Sequence, residues 1–124
     1  MVKLFGKKIR RILEKFNEGD IILVSKWANF FGQKSKGSKQ VRGNGVLVLT
    51  KEELFFQMFL PKRILKVSIN DIIDVKKESH HLRKTKYIDL LKVEFIIENG
   101  EEDSVAWWVK KLEDWITKID VLIK

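Results

Sequence analysis

The chain contains no cysteine, and that absence removes a disulfide framework, a thiolate nucleophile and any Cys-ligated zinc site. It also fits a reducing compartment. No apolar run approaches the roughly 20 residues needed to cross a bilayer. The opening MVKLFGKKIRRILEKF alternates basic and apolar residues without a continuous apolar block, so it does not read as a secretory signal. The expected location is therefore cytoplasmic, with peripheral attachment at the inner membrane face as its membrane-bound variant. No glycine-rich phosphate loop is present, since GQKSKGSK departs from the required spacing. Ser25, Ser35, Ser38, Ser68, Ser79 and Ser104 lack a nucleophile-elbow context. The two histidines, His80 and His81, are neighbours and on a strand would point to opposite faces, so no metal site is expected. Asp71 and Asp74, and the run Glu101 to Asp103, stand in turns with no converging base or nucleophile. Neither catalysis nor a cofactor is expected.

What remains is 124 residues, 44% apolar and 34% charged, which suits one globular domain with a single core. The net charge of +8 is unevenly placed. Lys3, Lys7, Lys8, Arg10, Arg11 and Lys15 crowd the N-terminus against Glu14 alone. Lys34, Lys36, Lys39 and Arg42 fall in a second segment with no acid, and the rest of the chain is nearly neutral. A charge confined to one tail and one loop points to an anionic partner.

Periodicity predicts a helix over 3–17, with Phe5, Ile9, Ile12, Leu13 and Phe16 in one stripe. Residues 21–31 read as a long strand rich in branched and aromatic residues. By composition, 32–45 is a loop. Strands follow at 46–50, 54–60, 64–69 and 72–77, the single proline, Pro61, marking a turn. Leu65, Val67 and Ile69 share one face. ESHHLRKTK (78–86) reads as a second basic loop. Strands at 89–98 and 103–109 flank Asn99-Gly100, a hairpin signal. A closing helix carries Leu112, Trp115, Ile116, Ile119 and Leu122 on one side. The expected division is an N-terminal helix over 1–19 and a mainly β domain over 20–124.

In NGVLVLTKEELFF, LPKRILKVSINDIIDV and DLLKVEFIIENGEEDSVAWWV running into KKLEDWITKI, the order of elements resembles the pleckstrin-homology-like superfold, especially its GRAM and bacterial branches. The likeness spans roughly residues 20–122. It implies seven strands in two nearly orthogonal antiparallel sheets, a partly open barrel closed at one end by the C-terminal helix. It also implies a non-enzymatic module that binds phosphoinositides, other anionic lipids or protein segments. The superfold's phosphoinositide pattern places a Lys near the end of the first strand and two basic residues, one position apart, in the next loop. Lys26, Lys34 and Lys36 stand at comparable places, although the last is normally Arg, whose planar fork grips phosphate bidentately. Arg83, Lys84 and Lys86, with Lys76 and Lys77, would flank the same pocket if the loops after the first and fifth strands converge.

Two further readings concern the N-terminal helix. Lys7, Lys8, Arg10 and Arg11 around the stripe of Phe5, Ile9, Ile12 and Phe16 form a membrane-surface element, or the stripe packs on the barrel, a protein partner or a second copy. Trp27, Trp107, Trp108 and Trp115 fall in strands or on the apolar side of the last helix, so core packing is expected for Trp115 and one of the Trp107–Trp108 pair, the other being partly exposed or covered by the N-terminal helix. Nucleic-acid binding is disfavoured, because the charge is not organised along a strand or recognition helix.

Overall fold

The fold is described from a computed structural model covering residues 2–37, 40–81 and 84–124, with side chains described for residues 6–37, 40–79 and 89–124. Helix α1 (Val2–Leu13) precedes seven strands: β1 (Ile21–Gln33), β2 (Gly43–Thr50), β3 (Glu53–Met58), β4 (Arg63–Ser68), β5 (Ile72–His81), β6 (Lys84–Ile96) and β7 (Glu102–Trp108). Helix α2 (Leu112–Ile123) follows. All neighbouring strands pair antiparallel, in the order β4-β3-β2-β1-β7-β6-β5. The hydrogen bonding is continuous, with β1 serving both halves: Ile21 to Phe30 face β2, and Asn29 to Gln33 face β7. Register shifts between Ser25 and Ala28 and between Phe30 and Gly32 let this long strand turn from one half to the other. The edge strands β4 and β5 are joined by only a three-residue turn, Ile69–Asp71. So short a link between opposite ends of the strand order requires the sheet to curl on itself.

Inside the curl lies the main core. Leu47, Leu49, Leu54, Phe56, Val67, Leu91, Val93, Phe95 and Val105 project inward, and α2 contributes Trp115 and Ile119. The Phe30 and Phe56 rings stack at 5.3 Å, and Trp107 closes the group at 5.7 Å from Phe56. Helix α2 packs on β5, β6 and the Ile69–Asp71 turn, so it covers that end. The predicted inward faces of β4, β6 and α2 are those observed, with Leu65, Leu112, Ile116 and Leu122 partly buried at the margin.

The outer face is covered as well. Val46, Val48 and Phe55 alternate with the inward residues and are buried beneath Ile9 and Ile12 of α1. A strand that reads VLVL without alternation is one with both faces buried, and α1 supplies the second cover. Phe31, Leu90, Ala106 and Trp108 form a third, smaller cluster. The expected partial cover of Trp108 by the N-terminal helix is therefore corrected: it is Trp27 that lies in the α1 cluster, 5.3 Å from Phe59.

Several boundaries also differ from expectation. β2 begins at Gly43, within the segment expected as loop, because Gly43, Asn44 and Gly45 pair with β1. Its glycines are there for closeness: an added Cβ at Gly45 would stand 2.2 Å from the Gln57 carbonyl oxygen. The expected basic loop at 78–86 is mostly strand, since His80 pairs with Thr85 and His81 with Lys84.

Candidate functional site

The β1–β2 connection is held in one shape by a buried carboxylate. Asp103, at the start of β7, accepts from the Gln33 side chain (2.7 Å), the Ser35 hydroxyl (2.7 Å) and the main-chain N–H groups of Ser35 (2.9 Å) and Ser104 (2.8 Å). Gln40 folds back on the same turn, exchanging bonds with the Gln33 main chain and donating to the Gly37 carbonyl. Arg63 of β4 donates to Gln40 (2.9 Å) and Gln33 (3.2 Å) while its guanidinium lies 4.8 Å from the Phe30 ring centroid. One network thus ties β7, the β1–β2 connection and the β3–β4 hairpin together at one end of the molecule. Burial of the Asp103 carboxyl pushes its pKa up, but the hydrogen bonds from Gln33, Ser35 and Ser104 outweigh it, and the net shift is downward.

A carboxylate held below its unfolded value of about 3.9 stabilises the fold above that pH, and the contribution fades as the pH falls through the folded value. Asp103→Ala is therefore expected to cost about 2–3 kcal/mol at pH 7 by stranding its donors. The deficit should shrink at pH 3, where the native protein is losing the same contribution. Urea unfolding at the two pH values checks this, and equal deficits would contradict it.

This framework presents Lys34 and Lys36 outward on the Lys34–Lys36 turn, both exposed. Arg42 is exposed too, its guanidinium 4.4 Å from the Phe31 ring centroid. Lys39 lies outside the described residues. Lys26 does not join them: β1 continues to Gln33, so Lys26 is mid-strand in the bulge, roughly 20 Å from the loop at about 3.3 Å per residue. Arg83 and the side chains of Lys84 and Lys86 are likewise outside the described residues. The backbone register still separates the two basic segments. The β1–β2 loop adjoins Asp103, opposite Phe95, whereas Lys84 opens β6 at its far end, roughly 36 Å of strand away. Among the described residues no pocket joins the two segments.

The first-helix stripe meets the protein's own sheet. Ile12 is 2% exposed, Ile9 is buried, and Leu13 and Phe16 are partly covered, with Phe16 edge-on to Phe55 at 5.1 Å. Ile9 and Ile12, expected as membrane or partner contacts, are thus covered within the fold, because Val46, Val48 and Phe55 would otherwise face water. Phe5 lies outside the residues with described side chains. Outward, α1 offers its cations. Lys8 and Arg11, with Lys15 just beyond the helix, lie on the flank facing the β3–β4 turn; Lys7 and Arg10 are exposed away from it. Lys8, Arg11 and Lys15, together with Ile12, Gln57, Met58, Phe59 and Lys62, line a cleft of about 300 Å³. Lys15 donates to Gln57 at 2.9 Å and lies 5.5 Å from the Phe55 ring centroid. Sequence reading missed Lys62 and Gln57, which no spacing connects to α1.

Next to these cations stand two apolar tips. Leu60 in the β3–β4 turn is 65% exposed, and Val41 in the β1–β2 loop is 56% exposed. The two segments touch, since the space beside Gly43 is bounded by Met58 and the Leu60 carbonyl.

No protein-family model matches the chain, and no curated protein matches it in sequence. Solved structures do match in shape. A chain of the 8S snRNP assembly intermediate aligns with a TM-score of 0.66 at 9% identity, covering 86% of this chain and 84% of that one. The C-terminal domain of a protein from Leishmania infantum aligns over the whole of both chains, with a TM-score of 0.58 at 11% identity. Vav1, which contains a pleckstrin-homology domain, aligns in its activated truncation with a TM-score of 0.57 at 10% identity. The alignment covers 98% of this chain and 33% of that one. The fold is pleckstrin-homology-like. At such identities the likeness speaks of the fold alone.

Proposed function

We propose that the protein is a non-enzymatic binding module that docks on anionic membrane surfaces through the rim made by the β1–β2 loop and the β3–β4 turn. The observation that carries this reading is that exposed Leu60 and Val41 stand on the same two touching segments that carry the exposed Lys34, Lys36, Arg42 and Lys62. Cations near an acidic leaflet contribute about 1 kcal/mol each, and an inserted leucine contributes about 2 kcal/mol. The four cations and Leu60 alone reach about 6 kcal/mol, which corresponds to reversible association between millimolar and micromolar. Among the described residues no helix is long and apolar enough to cross a membrane, and reversible surface adsorption requires none.

Co-sedimentation tests it. Vesicles of phosphatidylcholine mixed with phosphatidylserine should carry the protein down, pure phosphatidylcholine should not, and about 0.5 M salt should release it. Leu60→Asp should weaken partitioning about 150-fold, combining about 2 kcal/mol of lost insertion with about 1 kcal/mol of charge repulsion. Val121→Asp, at an exposed apolar position on α2, should leave it unchanged. Equal binding to both vesicle types, or equal loss from both variants, would contradict the proposal.

A further inference from the structure

We propose that the cleft between α1 and the β3–β4 turn is a binding site for a small anion carrying two or more phosphate groups. Four cations line it (Lys8, Arg11, Lys15 and Lys62), and among the described residues no carboxylate does. They reach it from separate parts of the chain: three follow one flank of the first helix and its exit, and Lys62 comes from the turn after β3. Folding therefore concentrates like charge that the extended chain would keep apart, and a bound anion relieves the repulsion. The helix is fixed in place by the burial of Ile9 and Ile12 below it. Lys15 is oriented by its bond to Gln57 and by the Phe55 ring, and an ammonium has three N–H donors, so two remain for a ligand. Gln57 brings an amide, and Ile12, Met58 and Phe59 form an apolar floor.

Size and charge choose the ligand class. At about 300 Å³ the cleft is at the small end of ligand sites and suits a compact anion, not a polymer. Four positive groups balance about two phosphomonoesters, each carrying roughly −1.5 to −2 at neutral pH. Three lysines and one arginine are mostly point charges on flexible stems, which accept clustered phosphates without demanding one planar geometry. A lipid headgroup and a free polyphosphate share this chemistry. Lys62 also belongs to the proposed membrane rim, but a soluble anion needs no membrane, so either reading can fail without the other.

Titration calorimetry of the full chain with inorganic tripolyphosphate and with inositol trisphosphate, at one fixed ionic strength, tests the site. At least one probe should bind in the micromolar range. The double variant Arg11→Gln with Lys62→Gln should weaken that binding at least tenfold. Lys7→Gln with Arg10→Gln, which removes the same charge from residues outside the cleft, should change it less than threefold. All four positions are exposed, and an unchanged helical dichroism signal would show that both variants keep α1 folded. Tighter binding of inositol trisphosphate assigns the site to a phosphorylated headgroup, and similar or tighter binding of tripolyphosphate assigns it to a free polyphosphate. No binding of either probe, or equal weakening by the two double variants, would overturn the site.

Discussion

Trp107→Ala should lower the unfolding free energy by about 4 kcal/mol, the range for emptying a fully buried aromatic site. Trp107 is 0% exposed on β7, the strand between β1 and β6, and its ring meets both Phe30 and Phe56. Phe56 comes from the other half of the sheet and Phe30 from β1, the strand both halves share, so the indole is where the halves grip each other. Trp107→Phe should cost far less, under about 1.5 kcal/mol, because a smaller aromatic ring keeps most of the packing. It also removes an indole N–H that finds no acceptor among the described residues. Urea unfolding of the two variants measures the contrast. A loss below about 1.5 kcal/mol for the alanine variant would mean that this centre is not packed as described.

Ile12→Asp should detach the first helix while leaving the barrel folded. Ile12 lies over Val46, Val48 and Phe55, and an ionised carboxylate cannot remain there unpaired. Burial of Ile9 and Ile12 contributes about 2–3 kcal/mol each. Docking of α1, net of the entropy of ordering it, is therefore worth only a few kcal/mol. Undocking caps the damage, since the main core inside the curl does not include α1. Far-ultraviolet dichroism should lose the signal of about 12 residues of helix. The exposed patch of Val46, Val48, Phe55 and Phe59 should make the variant self-associate. Loss of the barrel together with the helix would show that the two fold as one unit.

Both results bear on what could be read from the chain before folding. Strand order and inward faces were legible because alternation is a local property: Leu91, Val93 and Phe95 announce one covered face, and Trp115 with Ile119 announce the face of α2. The cover on the second face was written in VLVL and LFF, runs too continuous for a half-exposed sheet, but which element supplies it depends on tertiary packing. Composition misled at GNG, where glycines serve close strand pairing, and in ESHHLRKTK, where the described residues 78–81 and 84–86 are strand. The site was harder still. Lys15 and Gln57 are 42 positions apart, and Lys62 is farther, so the cleft exists only once α1 docks beside the β3–β4 turn. The lysine pattern carried by family resemblance placed Lys26 with Lys34 and Lys36, but the additional length of β1 separates them.

Because the chain has no native cysteine, single nitroxide labels can be placed at will. The central claim is that the rim holding Leu60 faces the membrane, and accessibility of a label at Leu60→Cys compared with one at Val121→Cys reads it directly. On phosphatidylserine-containing vesicles the label at 60 should lose access to a water-soluble relaxant and gain access to oxygen dissolved in the bilayer. The label at 121 should stay as accessible to water as it is in solution. A label at 60 that remains fully aqueous while the protein is vesicle-bound, or one at 121 that becomes protected instead, would contradict the account.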